Sequence, residues 1–361
     1  MEPKKKKFPE IDILRVTAIL LVVFGHCTYV KFEEFTTIGT FSSIGSIVLN
    51  DTPMLHETIF LFTQKICGLI YMFHVPLFFV LAGMCYALNE HTEFSLDKFI
   101  WKKFDRLIIP FFLIGSLYMI PMKYFAKFYT DIFIAEKSFI SFENYGHLWF
   151  LIVLFEIFIV FRLLRQCFKN SISPLVIISL VCYFIGIPKF YELFGGQNPA
   201  MIVHTLTYLI WFVLGYIVYR EQDAVKSFLN KYNSFVPFFI TAAIFLADSQ
   251  YNFLPLFLKT LFGCSATYFF AICLSKTRLI NWSLYATLLK YNFSIYLFHD
   301  PLNYFVINAF SRWHWIETSP TLAAISFVAM RTVIICAAAI FIAYVLEKLK
   351  IFLQSKLLVK Q

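Results

Sequence analysis

Apolar runs close to the width of a bilayer recur from one end of the chain to the other, separated by short polar connections. Each run approaches the ~20 residues that a helix needs to cross a hydrocarbon core. The pattern predicts spans near 11–30, 66–88, 98–121, 147–166, 172–188, 201–219, 235–250, 257–275, 290–308 and 321–347. The expected fold is therefore all-α, a polytopic transmembrane bundle of about ten helices. The fifth and seventh spans are short and hold or abut Pro174, Pro188 and Pro237, so a re-entrant segment is the alternative there.

Threading the spans alternately sorts the connections into two groups. One holds Lys4 to Lys7, Lys98, Lys102, Lys103, Arg106, Arg162, Arg165, Lys169, Arg220, Lys226, Lys231, Lys276, Arg278, Lys290, Lys348, Lys350, Lys356 and Lys360. The other is poor in basic residues and carries Glu33, Glu34, Asp51, Glu57, Asp131, Glu136 and Glu143. The positive-inside rule assigns the basic group, and with it both termini, to the cytoplasm. Two connections on the opposite side, 31–65 and 122–146, are long enough to cover part of the outer mouth. Lys4 to Lys7 precede a run that continues to spanning length without a small-residue cleavage site, which reads as a retained first helix rather than a leader.

Composition sharpens this picture. The 361 residues are 60% hydrophobic and 15% charged, too apolar to cover a soluble core. The whole of 1–361 reads as a single transmembrane domain with no separate soluble one, in a bacterial inner or plasma membrane. The net charge of +9 sits in short clusters between apolar runs, which argues for topology and against nucleic acid as a partner. Eight cysteines without CxxC spacing read as small packing residues. Membrane lipid is the implied surrounding, and oligomeric state is not encoded in any recognisable pattern.

Ionisable residues inside a bilayer are costly, and each marks a candidate site. Arg15 and His26 are eleven residues apart in the first span, about three helical turns, so they share one face roughly 16 Å apart along the axis. Ala18 and Val22 lie between them on that face, leaving room for something narrow. Depth counting gathers His74, His147, His204 and His299 with His26 in the outer half or at its rim. Any one of these is ordinary at a membrane interface, whereas a group suits general-base chemistry. Glu156, Asp300 and Arg331 are also expected at membrane depth; the bland alternative is a structural ion pair. Lys102, Lys103 and Arg106 precede Pro110 and, with Arg15, could form a pocket for phosphate groups, or simply anchor the helix at the headgroups. No HxxxH spacing points to a metal, and none is expected.

These segments resemble the acyltransferase-3 family of integral membrane O-acyltransferases. The resemblance runs through IDILRVTAILLVVFGHC (Ile11 to Cys27), FHVPLFFVLAGM (Phe73 to Met84), KKFDRLIIPF (Lys102 to Phe111), GHLWFL (Gly146 to Leu151) and SIYLFHDPL (Ser294 to Leu302). It implies transfer of an acetyl or succinyl group from cytoplasmic acyl-CoA to a hydroxyl of a cell-surface glycan or its lipid-linked precursor. It also implies that His26 is catalytic and that Arg15 and Arg106 lie on the donor side. Ala82 stands where the family often has serine before Gly83, and Lys103 where an arginine often accompanies Arg106.

Together the residues and the resemblance yield one expectation. Arg15, Lys103 and Arg106 would hold the phosphates of acetyl-CoA or another acyl-CoA. His26 would act as base or brief acyl carrier, with His299 nearby and Glu156 or Asp300 orienting a histidine. His74, His147, Trp149, Asp300 and Arg331 would line the acceptor side. The rival reading is a transporter or exporter of a glycan or small anion; no internal repeat of the kind common in secondary transporters supports it.

Overall fold

The structure, a computed structural model, describes residues 8–28, 58–90, 95–126, 128–169, 171–193, 201–231, 235–310, 319, 321 and 325–358. Lys4 to Lys7, the acids Glu33, Glu34, Asp51 and Glu57, and most of the 31–65 connection lie outside the described residues. In chain order the helices are α1 (Pro9–Cys27), α2 (Thr58–Tyr71), α3 (His74–Leu88), α4 (Leu96–Phe125), α5 (Ile132–Ile140), α6 (Gly146–Cys167) and α7 (Ser173–Phe190). They continue with α8 (Ile202–Arg220), α9 (Gln222–Lys231), α10 (Phe235–Tyr251), α11 (Leu256–Ser275), α12 (Ser283–Lys290), α13 (Asn292–Phe310) and α14 (Arg331–Leu358). The described residues contain no β-strand.

Helices lie at all ten expected positions, but among the described residues length and apolarity qualify only six as crossings: α4, α6, α7, α8, α11 and Val328–Gln354. Leu61–Tyr71 with α3 makes a seventh as a bent pair, and α10 is a shorter apolar helix. The chain is thus a multi-pass membrane protein. Large side chains such as Leu117, Phe239 and Phe341 are exposed, as a lipid-facing surface requires. α1 and α13 match α8 in length at 19 residues each and fall short through polarity. α1 carries Glu10, Asp12 and Arg15, and α13 carries His299, Asp300 and Asn303. The helices least like ordinary spans are those that carry the candidate chemistry.

Prolines explain the irregularities that hydropathy smooths over. The span expected at 66–88 is broken between α2 and α3, because Pro76 has no N–H for the Met72 carbonyl four residues back. Thr260 Oγ1 donates to that carbonyl instead, at 2.9 Å. Three π-helical turns, Phe104–Ile108 and Gly115–Met119 in α4 and Cys182–Gly186 in α7, each end two residues before Pro110, Pro121 or Pro188. The residue four before each proline, namely Arg106, Leu117 and Phe184, is the centre of its π turn. Widening the turn there relieves the clash of the proline ring with that carbonyl. A fourth π turn, Ser326–Met330, has no proline after it, and nothing in the structure explains it. Pro174 and Pro237 fall in the first turns of α7 and α10, where the missing N–H costs nothing.

Two compact units divide the chain. The first comprises residues 1–18, 71–115 and 141–280. Its centre is the crossing of α3 and α8, where Gly83 meets the backbone of Phe212 and Tyr216, and Gly215 meets that of Val80. Small residues let the two backbones approach this closely. Aromatic rings fill the space beside them: Phe79 stacks on Tyr208 at 4.6 Å, and Tyr86 lies among Phe158, Phe161 and Phe212. α6 and α7 pack on α8, and α10 pairs with α11.

The second unit comprises residues 19–70, 116–140 and 281–361. Here α13 packs against α14 and against the last turns of α4. α4 runs past the expected end at 121 to Phe125, and the connection predicted at 122–146 contains α5. That extension carries Lys123 as a buried helical residue.

Candidate active site

In the second unit His26, in the last turn of α1, meets α13. Its Nδ1 lies 3.1 Å from Asp300 Oδ1. A carboxylate oxygen can only accept, so Nδ1 carries the proton and the lone pair is on Nε2. The other carboxylate oxygen, Asp300 Oδ2, is 2.9 Å from Lys123 Nζ. The rings of His26 and His299 lie 4.8 Å apart. His299 Nδ1 is 2.7 Å from the Tyr296 carbonyl and must likewise donate, which puts its own lone pair on Nε2.

The backbone around His26 is held as firmly as its ring. Its carbonyl, one of the last of α1, accepts from Asn303 Nδ2 at 2.8 Å and faces Arg331 Nη2 at 3.4 Å. Thr28 Oγ1 closes the Gly25 carbonyl at 2.6 Å. Side-chain donors and a cation at a helix C-terminus satisfy its orphan carbonyls and suit its dipole. Arg331 and Asn303 are fully buried, and Asp300 and His299 nearly so, whereas the His26 side chain is 16% exposed. His26 is therefore the most accessible member of the group.

The first unit contains a separate basic cavity of about 460 Å³, the size of a small-ligand site. Arg15, Lys102, Lys103, Arg106 and Arg162 line it, against one acid, Glu90. Glu90 is already engaged by Arg165 and by Tyr216, whose hydroxyl donates to both its oxygens at 2.8 and 3.0 Å. The cavity thus keeps a strong positive balance. Arg15 bonds Asp12 and Cys85 Sγ, each at 3.0 Å, and Lys103 Nζ sits 3.4 Å from the Phe158 ring centre. Arg106 stands at the centre of the π turn that Pro110 imposes. The arrangement suits a polyanion with an aromatic or apolar part.

The candidates read from the sequence thus fall into distinct places. His26, His299, Asp300 and Arg331 come together in the second unit, and Arg15, Lys103 and Arg106 line the cavity of the first. Glu156 is engaged by Thr205 Oγ1, so the carboxylate that meets His26 is Asp300. His74 is buried 4.6 Å from the Tyr71 ring, and Trp149 lies 5.0 Å from the His204 ring, both in the first unit. His147 is buried in the 3₁₀ turn that opens α6, which Gly146 starts with φ 51°, a conformation that favours glycine. Among the described residues, no three His, Cys, Asp or Glu side chains are grouped so as to hold a metal ion.

A family model described as an acyltransferase domain, acyltransferase-3, matches residues 8–347. The chain belongs to the acyltransferase-3 family. The match covers α1 to α13 and most of α14, and with the apolar helices it makes the chain a membrane acyltransferase. No curated protein and no solved structure matches the chain.

Sequence reasoning missed three members of the acyltransferase-3 chain's His26 group: Lys123, Asn303 and Tyr118, whose hydroxyl donates to the Phe298 carbonyl at 3.0 Å. A signal existed for Lys123, a lysine directly after an apolar run on the side poor in basic residues. Asn303 and Tyr118 had none, since either residue is unremarkable in a membrane helix. Cys85, Glu90 and Arg162 were likewise not read as part of the basic cavity.

Proposed function

We propose that this acyltransferase moves an acetyl or succinyl group from acyl-CoA to a hydroxyl of a cell-surface glycan or its lipid-linked precursor, with His26 as catalytic base. The observation that carries the reading is the contact of His26 Nδ1 with Asp300, which leaves Nε2 as the proton acceptor. Nε2 takes the hydroxyl proton as the oxygen bonds to the thioester carbonyl carbon. The carbon–sulfur bond then breaks, and the leaving thiolate recovers the proton from the imidazolium as free thiol. The donor's phosphates and nucleotide occupy the cavity beside Arg15, Lys103 and Arg106. Arg15 and His26 share the unbroken α1, eleven residues apart, which supports a thin acyl-bearing arm along that helix. His74, His147 and Trp149 serve the acceptor.

The same reading takes the chain as one domain of about ten crossings with both termini in the cytoplasm, in a bacterial inner or plasma membrane. The alternation of basic connections supports this, because it fits a single orientation throughout. It also supports counting the polar α1 and α13 as crossings.

Purified protein in detergent, given radiolabelled acetyl-CoA or succinyl-CoA, tests the donor and the base. His26→Ala should lower transfer or donor hydrolysis by at least the ~10²–10⁴-fold that a general base contributes. Full activity in that variant would remove His26 from the chemistry. Mass spectrometry of surface glycans with and without the protein names the acyl group and its carrier.

A further inference from the structure

We propose that Lys123 is a positioning residue for the acyl transfer, holding Asp300 so that one carboxylate oxygen is turned onto His26. This rests on the role of His26 proposed above. The ammonium lies 2.9 Å from Asp300 Oδ2, and both side chains are only 4% exposed. A lysine near the end of a membrane helix ordinarily extends its head toward the headgroups and water. Lys123, two residues before the end of α4, is buried instead.

Its surroundings hold it there. The ammonium lies 4.4 Å from the Tyr304 ring centre and 5.4 Å from that of Phe128. The Phe128 N–H donates to the Lys123 carbonyl at 2.8 Å, folding the segment after α4 back over the lysine. Aromatic faces attract a cation but cannot neutralise it, so Asp300 is its counter-charge. The two contacts fall on different carboxylate oxygens: Oδ2 meets Lys123 and Oδ1 meets His26. Without the lysine, the buried carboxylate would lose its counter-charge and would turn or shift toward other donors. The ring of His26 would lose its fixed tautomer and direction, and an error of about 1 Å at a reacting centre is worth about 10²-fold in rate. The lysine touches neither donor nor acceptor in this account and acts only through Asp300.

The test is steady-state acyl transfer by the full chain in detergent, with acetyl-CoA or succinyl-CoA as donor. Lys123→Met should lower kcat about 10²-fold while the KM for the donor stays within about twofold of wild type. Lys123→Arg, which keeps the charge, should retain most of kcat. In an Asp300→Asn background, Lys123→Met should cause no further fall, because the residue it acts through is already gone. The double variant removes both buried charges and so remains foldable where Lys123→Met alone does not. Wild-type kcat in Lys123→Met, a folded Lys123→Arg without activity, or an equal fall in both backgrounds would each overturn the proposal. If His26→Ala is inactive while Lys123→Met is fully active, only the role of Lys123 fails. If His26→Ala is fully active, both readings fail.

Discussion

Gly215→Ala is a small change at the point where the first unit is most tightly built. A Cβ at this position would meet the backbone of Val80 in α3, with its carbonyl carbon at 2.6 Å and its Cα at 2.8 Å. Carbon atoms pack without repulsion at ~3.5–4.0 Å, so the helices must part by roughly 1 Å. The obstacle is helix backbone, which cannot swing aside as a side chain would. Overpacking of this kind costs about 1–3 kcal/mol. The displacement also reaches function, because α3 and the turn after it carry Cys85, Asn89 and Glu90 into the wall of the basic cavity. Thermal unfolding in detergent should show a lower midpoint, and donor binding by calorimetry should weaken with it. Gly83→Ala, opposed by the Phe212 carbonyl and by the Tyr216 nitrogen at 2.9 Å, should behave the same way. A Gly215→Ala protein with wild-type melting and wild-type donor affinity would show that α3 and α8 do not approach this closely.

Two further changes probe the cavity and the proline break. Arg15→Ala and Arg106→Ala should each weaken acyl-CoA binding by about 1.5–3 kcal/mol, the worth of a hydrogen bond to a charged group, and unchanged affinity in both would remove the donor from the cavity. Thr260→Val leaves the Met72 carbonyl without its donor and should cost about 1–3 kcal/mol of stability. In a Pro76→Ala background, residue 76 regains an N–H for that carbonyl, so the same change should cost much less; equal costs in both backgrounds would refute the exchange of donors.

The sequence alone determined the class of the protein and the places of its helices. Hydropathy depends on composition over some twenty residues, and neighbours do not alter it. The same locality made Arg15 and His26 legible as one face of one helix, since the repeat of an α-helix is fixed by its backbone. The five motif segments pointed to the family for the same reason: each is a short run readable in place. Hydropathy was less reliable for α1 and α13, whose buried polar groups lower the very average on which the count of spans depends.

Only the tertiary structure decided which charges meet. Asp300 and Glu156 were equal candidates to orient a histidine, and nothing local separates two carboxylates in apolar helices. Packing brought Asp300 to His26 across 274 residues of chain and left Glu156 to Thr205. It also set Arg331, expected on the acceptor side, near the His26 carbonyl at the end of α1. Lys123 shows the limit most clearly. Its sequence context is the end of a helix beside water, and its actual environment is a carboxylate and two aromatic rings supplied by other segments. Burial of a charge is decided by partners that arrive from elsewhere in the chain, and a single sequence does not record their arrival.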